Sequence, residues 1–147
     1  MTTLSGELLS SLTHHTILAG AVHRSFSTAE TYDPSMALLG YREVDASGLG
    51  RAAFAGRILS TLGKQSPEKV ASYLLGAVMH TDIQALQSFC EIDTPLYIAG
   101  REPVQTALCD LALAAGFTNV HPISGDISGK MGIVGALHIA KERLYEL

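Results

Sequence analysis

Through the first two thirds of the chain, apolar positions recur at helical spacing. Gly6 to Leu18 carries Leu8, Leu9, Leu12 and Ile17, a short helix that the Ser5 hydroxyl can cap and that Glu7 can support from its first turn. The mixed stretch LAGAVHRSFSTAETYDPSMA reads as a loop closed by Asp33-Pro34, because proline's fixed φ and missing N–H suit the first position of a helix. Helical spacing continues from Asp33 to Leu62 with a break at ASGLG, so two helices are expected, the second over Gly50 to Leu62. Ser66-Pro67-Glu68 opens the clearest helix, which runs to Cys90. It has a capping serine, a proline in the first turn and an acidic residue set against the helix dipole. Val70, Leu74, Ala77, Val78 and Leu86 fall near one face, which predicts a helix packed across the core.

Beyond Cys90 the pattern changes. LYIAG reads as a strand ending in a glycine turn, Pro103 to Ala115 as a helix, and Gly116 as a turn. NVHPIS is then a second strand that turns at Ser124-Gly125-Asp126, and Gly129 to Tyr145 is a final helix. This order predicts a C-terminal βαβα unit with parallel neighbouring strands, and hence a helix-rich α/β fold. A doubly wound domain has about five strands or more, so either strands hide in the first third or the chain is part of something larger. There is no internal repeat and no low-complexity segment.

Composition narrows the class. With 147 residues, 47% of them apolar and 16% charged, the chain can bury one core and is not disordered. The absence of a long apolar run leads us to expect no membrane span. A net charge of −4 without a Lys/Arg cluster removes the basic footprint that nucleic acid requires. Cys90 and Cys109 lack CxxC spacing and read as reduced thiols of a cytoplasmic protein. No basic region precedes the first apolar residues, so no secretory signal is expected.

In a parallel α/β sheet, ligands gather where strands end and helices begin, because the free N–H groups and dipole of a helix N-terminus favour anions. Ala99-Gly100 and Ser124-Gly125-Asp126 are two such places. Their glycines either admit a ligand close to the backbone or only shape tight turns. In GKMGIVGALHIA, Gly129, Gly132 and Gly135 recur at steps of three, each costing roughly 1 kcal/mol against alanine in a helix. The space they leave suits either a nucleotide's base and ribose or close approach of the long 67–90 helix. Asp82 is a poor mid-helix residue set beside Ala77, Val78 and Met79, so it is either a site residue or a surface one; Arg57 is either a site residue or a snorkelling side chain. No GxxxxGK[ST], GxGxxG or GxSxG motif occurs, and the six histidines show no metal-binding spacing. No catalytic residue and no metal ligand is therefore assigned.

Taken in order, these segments resemble the C-terminal half of the 2-keto-3-deoxygalactonokinase family. SGELLSSLTHHTIL looks like that family's T-G-E-L segment and following helix, AFAGRILSTLG like its Phe-x-x-Arg helix, and VASYLLGAVMHTDIQAL like its Leu-Ser-Gly-Leu-Leu-Ile-Gly-x-Glu helix. LYIAG and ALAAGFTNVHPISGDISGKMGIVGA resemble its closing nucleotide-binding βαβ unit. The chain differs at His80-Thr81-Asp82 and at Arg101-Glu102, where smaller residues are usual. The resemblance implies the C-terminal domain of an actin-like, ribonuclease H-like fold. Residues 1–147 would form one domain, the N-terminal phosphate-binding half being absent. It implies ATP and Mg2+ as cofactors of the complete enzyme and in-line phosphoryl transfer to 2-keto-3-deoxygalactonate. Ala99, Gly100, Gly125, Asp126 and Gly132 would border the adenosine, and Glu7, Arg57 and Asp82 would face the cleft. The partners implied are a sugar acid and a nucleotide, and the uncovered domain interface would favour a homo-oligomer. The competing expectation is a non-enzymatic α/β domain that works by self-association or partner binding.

Overall fold

The computed structural model describes residues Thr3 to Tyr145. Helix α1 (Ser5–His15) is followed by a 3-10 turn (Ile17–Gly20), α2 (Pro34–Ser47), α3 (Leu49–Thr61) and α4 (Pro67–Phe89). Then come β1 (Leu96–Ile98), α5 (Val104–Ala114), β2 (Val120–Pro122) and α6 (Gly125–Tyr145). The fold is α/β and mostly helical. Among the described residues, no helix is long and apolar enough to cross a membrane.

Local chemistry sets the helix starts. Before α2, Asp33 accepts from the amides of Ser35 and Met36 at 3.0 and 3.1 Å. With the Ser35 hydroxyl foremost, these donors hold its carboxyl below the usual range. Ser66 caps α4 through the Lys69 amide. The expected cap on α1 is absent: Leu4 holds that position without a side-chain bond. Ser5 lies buried, and its hydroxyl donates instead to Asp82 of α4 at 2.7 Å. Nor does α1 reach Leu18, because Thr16 takes an extended conformation and its hydroxyl starts the 3-10 turn by accepting from the Leu18 amide.

Helix α4 is the spine of the core. Val70, Leu74, Val78 and Ile83 are buried along it, joined from the α5 side by Leu111 and Phe117. Helix α2 lies against it at backbone contact: a Cβ on Gly40 would run into the Tyr73 carbonyl, and one on Gly76 into the Ala37 carbonyl. Only glycine permits that approach. Tyr73 fastens α3 to the pair by donating to the Ala52 carbonyl at 2.9 Å. Burial first, and Glu43 second, pushes its phenol up to about 12.

The strands pair in parallel, with Leu96, Tyr97 and Ile98 opposite Val120, His121 and Pro122. Helix α5 crosses between them and ends at Gly116, whose φ of 99° suits a residue without Cβ. The expected turn at Ser124-Gly125-Asp126 is in fact the start of α6, which begins at Gly125 rather than Gly129. The chain coils as soon as it leaves β2, with the Ile127 amide bonded to the Ser124 carbonyl at 3.0 Å. A Cβ on Gly129, Gly132 or Gly135 would meet nothing, so α4 does not use the space they leave. Ile127, Met131, Ile133, Val134, Leu137 and Ile139 of α6 are exposed.

Candidate functional site

The βαβα unit brings both strand ends to one place. Gly100 follows β1 and Gly125 follows β2, so each stands where a strand hands over to a helix. With Gly129, Arg101, Glu102 and Gln105 they line a cleft of about 520 Å³. That lies within the range of small-molecule sites. Added side-chain atoms would meet open space at Gly125 and Gly129, and at Gly100 only Gln105, with its Cβ 3.7 Å away.

Gln105 holds this end of the sheet. Its amide nitrogen donates to the Ile98 carbonyl at 2.7 Å and to the Ile123 carbonyl at 2.6 Å. The Ile98 carbonyl also accepts from the Ile123 amide at 2.8 Å. Glu102 closes the start of α5 by accepting from the Thr106 amide at 3.3 Å. What remains open to the cleft is the N-terminal turn of α6, a 21-residue helix whose first amides and dipole favour an anion.

Of the residues singled out from sequence, Gly100 and Gly125 meet in the cleft. Ala99 precedes Gly100 and is exposed, Asp126 sits in the first turn of α6, and Gly132 lies on α6 beyond Gly129. The other three stand elsewhere. Glu7 is exposed on α1, and Arg57 donates to the Ile17 carbonyl at 3.1 Å, tying α3 to the 3-10 turn. Asp82 is buried under α1, where with Ser5 and Thr3 it borders a separate recess. His80 faces α2, with Nε2 2.8 Å from Asp45 and its ring 5.0 Å from that of Tyr41. Sequence reading missed Gln105; its signal was a two-donor side chain in the first turn of the helix that follows a strand.

The cleft combines small residues at strand ends, a helix N-terminus, and the Arg101 and Glu102 side chains, an arrangement open to a small anionic ligand. Among the described residues, no three His, Cys, Asp or Glu side chains come together to hold a metal ion.

No curated protein and no solved structure matches the chain. The family model described as 2-keto-3-deoxy-galactonokinase matches residues 1–134. With that match over most of its length, the chain belongs to the 2-keto-3-deoxygalactonokinase family, whose members are sugar-acid kinases.

Proposed function

We propose that this chain is the adenosine-side half of a two-domain, actin-like sugar-acid kinase acting in galactonate breakdown in the cytoplasm. The carrying observation is the cleft in which Gly100, Gly125 and Gly129 leave the backbone bare where two strands end. Gly100 and Gly125 admit the ribose, with Ala99 and Gly132 flanking and Asp126 accepting from a hydroxyl or amino group. The α6 amides draw the phosphate end by their dipole. Gln105 keeps the two strand ends in register beneath the nucleotide.

ATP supplies the transferable phosphoryl group, and Mg2+ accompanies it on groups outside these residues. The catalytic base and the main phosphate contacts belong to the other half, and closure of the two halves would align 2-keto-3-deoxygalactonate with the γ-phosphate. Exposed Glu7 faces that half, while Arg57 and Asp82 act on that side only through the 3-10 turn and α1 that they hold. A second reading, self-association, draws support from the exposed apolar residues of α6.

Thermal unfolding with and without MgATP tests the first reading. Nucleotide at about ten times its Kd adds about 1.4 kcal/mol, which raises Tm by about 3–6 °C. Gly129→Leu abolishes the shift, and the isolated chain transfers no phosphate to the sugar acid. A Tm that ignores nucleotide but climbs with protein concentration favours self-association instead.

A further inference from the structure

A second cavity lies on the far side of the turn that leads into α5, and Glu102 borders both spaces. It measures about 280 Å³ and opens between α1, α4 and the start of α5. Leu9, Leu75 and Val104 are among its apolar walls, and among the described residues no Lys, Arg or His lines it.

Its polar groups are biased toward accepting. Thr13 is only 2% exposed and lines the cavity, where its hydroxyl oxygen has lone pairs to offer. Ser27 lies 3.1 Å from the Ser72 hydroxyl. Ser72 spends its one O–H on the Glu68 carbonyl and also accepts from the Asp33 amide. Ser27 must therefore be the donor of the pair, which leaves its own oxygen only lone pairs to offer. Glu102 adds a carboxylate at the rim.

We propose that this cavity is a second small-molecule site, separate from the nucleotide cleft, that takes a compact apolar molecule bearing a cationic or N–H-donating group. The apolar body fills the walls, and the donors meet Ser27, Thr13 and Glu102. A sugar acid is excluded, since its carboxylate would face Glu102 with no cation to offset it and its hydroxyls would be stripped of water against leucine and valine.

The test uses benzylamine and benzoate, equal in shape and opposite in charge, titrated into the whole chain and followed by amide NMR. Benzylamine binds in the millimolar range and shifts amides of α1, of α4 around Ala71 and of the turn at Glu102; benzoate does not bind there. Thr13→Val and Glu102→Gln each weaken benzylamine by about three- to tenfold, and Ala71→Leu, which fills the cavity, abolishes its binding. Glu102 is exposed on a turn, so its variant reports even where a change at buried Thr13 upsets folding. Equal binding of benzoate, shifts that map elsewhere, or no benzylamine binding up to tens of millimolar overturns the proposal. ATP titrated into the same samples reads the cleft independently, so loss of nucleotide shifts alone counts only against the kinase reading.

Discussion

Helices α4 and α6 use the same ingredients, glycine and aliphatic side chains, to opposite ends. On α4, Gly76 is pressed against the backbone of α2, and Val70, Leu74 and Val78 are fully packed. On α6, Gly125, Gly129, Gly132 and Gly135 face open space, and Ile133, Val134 and Leu137 remain exposed. A glycine is thus a packing requirement in one helix and a gap in the other, and its role follows from the partner rather than from the residue. A helix apolar on more than one side is designed for burial. The residues around α4 are thus packed on every side, while the apolar residues of α6 lie exposed.

Substitutions can sharpen this contrast. Gly76→Ala drives a methyl group into the Ala37 carbonyl and should cost about 3–5 kcal/mol, enough to unfold a marginal domain, as urea titration followed by circular dichroism will show. Gln105→Leu, at the junction of the two regions, removes two bonds to strand-end carbonyls and should cost about 2–4 kcal/mol. It should also abolish any nucleotide response without changing helix content. Tyr73 offers a pH probe of the packed region. Its folded-state value of about 12 exceeds the ordinary 10.0, so its contribution is complete below pH 10 and is lost as pH rises toward 12. The slope, worth about 1–3 kcal/mol over that window, should flatten in Tyr73→Phe. Smallest of all, Gly132→Ala on α6 should change stability by no more than about 1 kcal/mol, in the stabilising direction. A large loss there would mean that α6 is packed in solution.

Much of the body was legible because its signals are local. Asp33-Pro34 and Ser66-Pro67-Glu68 announce α2 and α4 by capping chemistry, and the change of period after Cys90 announces the parallel pair. Ser5 misled because a capping hydroxyl cannot be told from one aimed at a buried carboxylate until α4 is placed beside it. The start of α6 was missed because Gly125 reads as a turn residue, whereas here it begins a helix. At the cleft, Gly100 and Gly125 were readable from strand-end logic. Gln105 was not, since its partners lie in two strands that only the tertiary fold brings together.

A pair of three-residue strands makes a frail ladder, and without a side-chain donor the Ile123 carbonyl at its end would lose its bond while the Ile98 carbonyl would keep only the Ile123 amide. By donating to both, the Gln105 amide satisfies these carbonyls and ties the strand tips together with a single side chain. The rigidity of the strand ends and the charge they present to the cleft thus both rest on one amide nitrogen, and neither can be altered without the other.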